Sequence, residues 1–192
     1  MNARRPRPRK SSATEPGRRS KGVPSSPGRT PPRPTRVLEI SGRQRRFSID
    51  RRALREILVA ALLEEMDVVE FELGVHLVGA EEMTAVNETF LQHEGSTDVI
   101  TFNHAEQPAR GVLHGELFVC VDEAQALAPR FKTTWPDEVL RYCVHGFLHL
   151  LGHDDLEPSL RRRMKREENR IMRTLRKRFA VTEIARNIRA AT

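Results

Sequence analysis

The sequence has only two cysteines and no hydrophobic run long enough to cross a membrane. Cys120 and Cys143 are too few for a disulfide framework among 192 residues, which indicates a reducing compartment. The apolar runs fall well short of the roughly 18 residues that a membrane span needs, and no early apolar stretch suits a signal peptide. We therefore expect a cytoplasmic protein with no membrane partner, in which both cysteines are core residues.

The net charge of +7 is unevenly distributed along the chain. Residues 1–35 carry a net charge of +9 and residues 156–192 one of +8, whereas residues 36–155 carry −10. The first of these segments holds 8 of the 12 prolines and few large apolar residues, which predicts a disordered basic tail. We expect this tail to contact RNA phosphates loosely. An organelle transit peptide and a docking segment for a protein partner are the alternatives.

The hydrophobic pattern predicts one compact α+β domain over residues 36–180, a small mixed sheet packed with helices, followed by a C-terminal helical extension or tail over 181–192. Short apolar or alternating segments predict four strands, at 37–40, 68–78, 99–102 and 115–121. Helical periodicity predicts five helices, at 50–66, 80–89, 122–129, 136–151 and from 158 onward. We expect Asp122 to cap the third helix and Gly152 to end the fourth.

Two histidines stand four residues apart on the fourth predicted helix. His145 and His149 therefore project from one face, within reach of one small cation. Gly152 can adopt the left-handed conformation, so the chain beyond it can turn back and present a third ligand. Three protein ligands leave a coordination position for water, as a catalytic zinc site requires. The alternative is a pair of partly buried histidines bonded to nearby carbonyl groups.

The segment 145–155 resembles the signature of the YbeY endoribonucleases, also called rRNA maturation factors, which runs His-Gly-x-Leu-His-Leu-x-Gly-x-Asp-His. Residues 86–90 and 96–102 are similar to a second motif of that family, and the resemblance covers about residues 37–175. It implies a zincin-like single domain with one Zn²⁺ per chain. It also implies a cytoplasmic, single-strand-specific endoribonuclease acting in 16S rRNA 3′ end maturation and ribosome quality control. The implied partners are rRNA and the ribosome or small-subunit assembly proteins.

The third ligand position departs from the family pattern. The family's last histidine falls on Asp155, and a carboxylate is an accepted zinc ligand. We therefore expect His145, His149 and Asp155 to bind zinc. His153 is the alternative third ligand, although it follows Gly152 closely.

A second departure concerns substrate binding. Leu91 stands where the family commonly has an arginine suited to a substrate phosphate. His93 is a candidate replacement, as are three basic residues of the last helix, Arg161, Arg162 and Lys165. The resemblance also implies that Thr97 and Asp98 line the cleft, the alternative being that they cap a turn.

The general base is not identified by the sequence. Zinc peptidases with this helix carry a glutamate directly after the first histidine, where this chain has Gly146. Asp98 and Glu116 are candidates, but both could instead fix the loop and strand beside the cleft. Attack by the 2′-hydroxyl of the RNA is a second chemical route. The alternative function is a non-catalytic, zinc-stabilised ribosome-assembly or RNA-binding factor.

Overall fold

A computed structural model of the chain describes residues 33–105 and 109–185, which belong to the unit that begins at Arg33. Of the predicted tail over residues 1–35, all but the last three residues lie outside the described part. The C-terminal segment is described as far as Ala185. Every helix in the described ranges is too short or too polar to cross a membrane.

The described residues form four strands and five α-helices, which alternate as far as β3 and are followed by β4 and three consecutive helices. The strands are β1 Arg36–Gly42, β2 Glu70–Val78, β3 Val99–Asn103 and β4 Val112–Cys120. The helices are α1 Arg51–Ala60, α2 Ala80–Val86, α3 Val121–Phe131, α4 Trp135–Leu150 and α5 Pro158–Arg178. Single π-helical turns extend α1 over Ala61–Glu65 and α2 over Asn87–Leu91, and a 3₁₀ turn follows α5 at Val181–Ile184.

The sheet is mixed, with the spatial order β1-β2-β4-β3. The first three strands in this order are parallel, and β3 runs antiparallel to β4 at one edge. Alternation along β4 buries Leu113, Leu117 and Val119 in the main core, with α1, α4 and α5. The opposite face is covered at one end by α2, whose Met83 packs in one cluster with Ile100 of β3. This arrangement confirms the predicted α+β class and mixed sheet.

Helix α4 packs closely on the sheet because two glycines remove side chains from the contact. A Cβ atom at Gly146 would lie 2.5 Å from Leu117 Cδ2 and 3.1 Å from Thr101 Cγ2. A Cβ atom at Gly115 on β4 would lie 3.1 Å from Leu150 Cδ2. The face of α4 that contains Gly146 is therefore pressed against β3 and β4. A glutamate at this position, as in the peptidases, would point into the sheet.

Two local expectations were wrong. The strand expected over 68–78 starts only at Glu70, after Asp67 with its left-handed φ of 54°, and Val69 is 53% exposed. Asp122 does not cap α3, which follows directly on β4. Its Oδ2 instead accepts a hydrogen bond of 2.9 Å from the backbone N–H of Ala80, and so caps α2. The expectation that Cys120 and Cys143 are core residues is confirmed, since both are fully buried.

The packed part of the chain extends past residue 180. Val181 and Ile184 belong to the main core. The backbone N–H of Asp50 donates to the Ile184 carbonyl at 2.8 Å, and Ile49 pairs with Ala185 in an isolated bridge. Residues 181–185 therefore pack as part of the domain.

We expect Gly146→Ala to lower the free energy of unfolding by about 1–3 kcal/mol, because the added methyl group has no room between α4 and the sheet. Urea denaturation measures this change. Gly42→Ala is the matched control, since a Cβ atom there meets nothing within 4 Å, and we expect a change within about 0.5 kcal/mol. Equal stability of the two variants would contradict the close contact between α4 and the sheet at Gly146.

Candidate metal centre

One stripe of α4 remains accessible while the rest of the helix is buried. From Glu138 to Leu150, the partly exposed side chains are those of Arg141, His145 and His149, which are four residues apart. Their spacing keeps them on one face of the helix. The four-residue spacing therefore places both histidines on the accessible side of a helix that is otherwise buried.

The end of α4 reverses the chain toward these histidines. Gly152 has a φ of 86°, and the backbone N–H groups of Gly152 and His153 donate to the carbonyls of His149 and Leu148, at 2.9 and 3.0 Å. These contacts form a Schellman motif, as the glycine predicts. Arg161 Nε then donates to the Asp155 carbonyl at 2.9 Å and ties the returning loop to α5.

Three potential ligand atoms converge where the loop meets α4. The Nε2 atoms of His145 and His149 are 3.1 Å apart. Asp155 Oδ2 is 3.8 Å from His145 Nε2, and its Oδ1 is 3.9 Å from His149 Nε2. Within the described residues, these three form the only group of three or more His, Cys, Asp or Glu side chains whose ligand atoms all lie within 4.8 Å of one another. A metal ion could bind here.

The other nitrogen of each ring fixes its tautomer. His145 Nδ1 lies 3.1 Å from Glu168 Oε2, and His149 Nδ1 lies 3.1 Å from the carbonyl oxygen of His153. Both partners are acceptors, so in the neutral rings both Nδ1 atoms carry the proton and donate it. Each Nε2 therefore presents a lone pair to the shared point, with the Asp155 carboxylate as the third acceptor.

This donor set fits a divalent metal ion. Two lone pairs and one carboxylate facing each other repel unless a positive charge lies between them. Zn–N bonds of about 2.0–2.1 Å imply ligand atoms roughly 3.3–3.5 Å apart around a tetrahedral ion, close to the separations found. Hydrogen bonds from the outer nitrogen to a carboxylate or a backbone carbonyl are the usual support of metal-binding histidines.

Glu168 on α5 is the buried partner of His145. It is 3% exposed, and its Oε1 accepts a short hydrogen bond from Arg141 Nη1 and lies 3.7 Å from Lys165 Nζ. Burial favours the neutral acid, but the hydrogen bond with His145 and the charges of Lys165 and Arg141 outweigh it and lower the pKa of Glu168. The carboxylate is therefore ionised at neutral pH and able to accept the proton of His145.

His153, the alternative third ligand, contributes its backbone to this arrangement through the carbonyl that accepts from His149. Its imidazole lines a separate surface cavity that also contains Leu160 and Arg163. Burial first, and then the positive charge of Arg163, lower the pKa of His153.

Thr97 and Asp98 lie in the loop that leads into β3. Asp98 Oδ1 accepts hydrogen bonds from Thr97 Oγ1 at 3.1 Å and from the backbone N–H of Val99 at 2.9 Å. Asn87 anchors the same loop, because its Nδ2 donates to the Gly95 carbonyl at 2.8 Å. Asp98 lines a cavity that also contains His145.

Glu116 does not reach the metal centre. It is on the face of β4 opposite Leu117, where its carboxylate lies 3.3 Å from His76 Nε2 and 3.9 Å from His104 Nε2. The alternation of β4 explains this position, since neighbouring residues of a strand point to opposite faces.

The candidates for phosphate contact are distributed over two regions. Leu91 and His93 are exposed beyond α2. Arg161 contacts the backbone of Asp155, and Lys165 lines the cavity beside His145. Arg162, between them on α5, is exposed and points to another side of the helix because successive helical residues are about 100° apart.

Glu168 is the residue that sequence reasoning missed. A signal for it does exist, because it lies four residues after Met164 and three before Ile171, in the apolar stripe of α5. A carboxylate at such a position is buried and requires a charged or hydrogen-bonding partner.

Comparisons with known proteins identify the relatives of this chain. A family model described as Endoribonuclease YbeY matches residues 39–176. The Endoribonuclease YbeY of Chlorobium phaeovibrioides is 41% identical over 97 residues, which span 50% of this chain and 64% of that relative. The Endoribonuclease YbeY of Chlorobaculum tepidum is 33% identical over 129 residues, or 67% of this chain and 91% of that relative.

A solved structure shares the fold. The solution structure of a protein from Thermotoga maritima aligns with a TM-score of 0.51 and 22% identity, covering 81% of this chain and all of that one. At this level of identity the likeness concerns the fold alone.

We expect Glu168→Gln to weaken zinc binding by about 10- to 100-fold, because an amide orients and polarises His145 less well than a buried carboxylate does. Competition with a chromophoric chelator measures the affinity. Glu167→Gln, at a partly exposed position of the same turn where the carboxylate pairs with Arg170, is the control and should bind zinc as the unaltered chain does. Unchanged affinity in the Glu168 variant would remove this carboxylate from the support of the site.

Proposed function

The chain belongs to the YbeY endoribonuclease family, and from this membership we propose that it is a zinc-dependent, single-strand-specific endoribonuclease. We propose that it acts in the cytoplasm, in 16S rRNA 3′ end maturation and in ribosome quality control. Its proposed partners are rRNA and the ribosome or small-subunit assembly proteins. The observation that carries the proposal is the convergence of two imidazole lone pairs and one carboxylate at a partly exposed point.

The cavities around this point support an extended, single-stranded RNA as the substrate. A cavity of about 440 Å³ is lined by His149 together with Asn103, Arg110 and Gly152. A second cavity, of about 390 Å³, is lined by His145 and Asp98. Each of the two histidines thus lines a different cavity, and we propose that a single RNA strand crossing the metal centre occupies both.

We propose that His145, His149 and Asp155 hold the zinc ion. When bound, zinc supplies Lewis acidity that stabilises negative charge on a phosphoryl oxygen and makes water easier to deprotonate. Glu168 and the His153 carbonyl keep the protons on the Nδ1 atoms, so that both Nε2 atoms remain free to coordinate. Their role is to orient the rings before substrate arrives.

Phosphate recognition is assigned to α5. Arg161 and Lys165 are one turn apart, and both lie beside the metal centre. Their positive charges are placed to attract the phosphate diester, in the role that the family's arginine would have at Leu91. The basic residues 1–35 and 156–192 extend this attraction to the neighbouring RNA backbone.

Asp98 is the candidate for moving a proton during hydrolysis. It shares a cavity with His145, and its Oδ1 is held by the two hydrogen bonds from Thr97 and Val99. Glu116 lies on the opposite face of the sheet, and Gly146 carries no side chain, so neither supplies a base at this point. We propose Asp98 as the positioned carboxylate.

Metal removal tests the enzymatic function. We expect the full chain to cleave a short single-stranded RNA, and we expect a chelator to abolish cleavage and added zinc to restore it. His149→Ala should reduce the rate at least about 100-fold, because one of three ligands is lost. His104→Ala, an exposed histidine on the other face of the sheet, should cleave at the normal rate. Zinc-loaded protein that binds RNA without cleaving it would instead support the non-catalytic assembly factor.

Zinc content distinguishes the two possible third ligands. We expect Asp155→Ala to lose most of its metal, whereas His153→Ala should keep about one zinc per chain, because alanine retains the carbonyl that supports His149. Elemental analysis of both purified variants measures this difference. The reverse pattern would assign the third ligand to His153.

A further inference from the structure

The cavity beside His145 has the composition of a binding pocket for an uncharged ring. It is lined by residues of α3, α4, α5, the segment between α3 and α4, and the loop before β3. Leu127 and Phe131 of α3 and the ring of Tyr142 of α4 supply its apolar wall. Its volume of about 390 Å³ lies within the range of roughly 300–1,000 Å³ that small-molecule sites occupy. Phe131 is 55% exposed at this wall, so its ring is accessible to a ligand.

Tyr142, one of the residues that line the cavity, carries a buried polar group. The residue is 5% exposed, and its hydroxyl has no hydrogen-bond partner among the described residues. Burial, followed by the negative charges of Asp98 and Glu138, raises the pKa of Tyr142. The hydroxyl therefore stays protonated at neutral pH and has a proton to donate. Buried hydroxyl groups without a partner are rare, since desolvation is unfavourable unless a hydrogen bond replaces the lost water.

The charges around the cavity disfavour a phosphate as its occupant. Three carboxylates line it, those of Asp98, Glu138 and Glu168. The Arg141 guanidinium is already engaged, with its Nη1 on Glu168 and its Nε 3.7 Å from Glu138 Oε2. Lys165 lies at the rim, with a side chain that is 63% exposed. An uncharged ring with polar atoms on its edge suits this lining better than an anion does.

We propose that this cavity, which we call the Tyr142 pocket, binds one unstacked nucleobase of the RNA, next to the phosphate that lies at the metal centre. In this arrangement Phe131 stacks on the base and the Tyr142 hydroxyl donates a hydrogen bond to its edge. Stacking on aromatic side chains and hydrogen bonding to exposed edges are the common means of recognising single-stranded RNA. Because the hydroxyl is buried behind the wall, binding requires a small rotation of the ring.

The pocket deepens the proposed function and rests on it for the identity of the ligand. Since His145 belongs to both the pocket and the metal centre, a base held there fixes the register of the strand relative to the point of cleavage. Cleavage then acquires a preference for one type of base at one position. This preference would come from the pocket, independently of the metal ligands.

The single tyrosine of the chain allows a direct test. Full-length, zinc-loaded protein labelled with ¹³C in the tyrosine ring gives the signal of Tyr142 alone. We expect at least one of the four ribonucleosides to shift this signal saturably, whereas ribose and inorganic phosphate leave it unchanged. No shift with any nucleoside, or an equal shift with phosphate, would overturn the proposal.

Two variants assign the contacts. Tyr142→Phe removes only the hydroxyl and should weaken nucleoside binding about 3- to 10-fold and reduce the base preference of RNA cleavage. Phe131→Ala, at an exposed position where folding is not at risk, should weaken binding about 10-fold by calorimetry. Phe90→Ala, another exposed phenylalanine, is the matched control. Wild-type affinity in both pocket variants would overturn the proposal.

The outcomes separate this proposal from the proposed function. RNA cleavage without nucleoside binding would disprove the nucleobase pocket and leave the proposed endoribonuclease function standing. If a nucleoside shifts the tyrosine signal but the protein does not cleave RNA, the nucleobase pocket is supported and the proposed catalytic function is disproved.

Discussion

The mutual repulsion of three hydrogen-bond acceptors is the constraint around which this domain is organised. The two imidazole Nε2 atoms lie 3.1 Å apart, while Glu168 and the His153 carbonyl hold the protons on the far side of each ring. The Asp155 carboxylate completes the set. Such an arrangement is unfavourable without a positive charge at its centre. The elements around it can be understood as the means of holding it in place.

The packing of α4 determines how this arrangement is presented. Gly146 and Gly115 bring the helix so close to the sheet that all its faces but one are buried, and the remaining stripe carries the histidines. The glycine that replaces the glutamate of the peptidases thus has a structural reason in this chain, because its Cα faces Leu117. A carboxylate near the histidines therefore has to come from another element, and the loop before β3 carries our proposed candidate, Asp98.

The sequence could predict features that depend on residues close together in the chain, but not those that depend on residues far apart in it. Strands, helices and the histidine pair follow from periods of two and 3.6 residues, and the glycine after α4 from its left-handed backbone. Glu168 is 23 residues from His145 and meets it only through the packing of α5, so its role depended on tertiary structure. Glu116 was a candidate general base by sequence, but the alternation of side chains along β4 places it on the face of the sheet opposite Leu117. Asp122 caps a helix that precedes it by 42 residues, which no local pattern could reveal.

The contacts made by α5 link metal binding to the integrity of the whole domain. This one helix supplies the carboxylate behind His145, the arginine that fastens the Asp155 loop, and core residues from Met164 to Leu175. An ion held at the centre would bind the folded chain more tightly than the unfolded one, and would thereby add to the thermal stability of every element that α5 ties together.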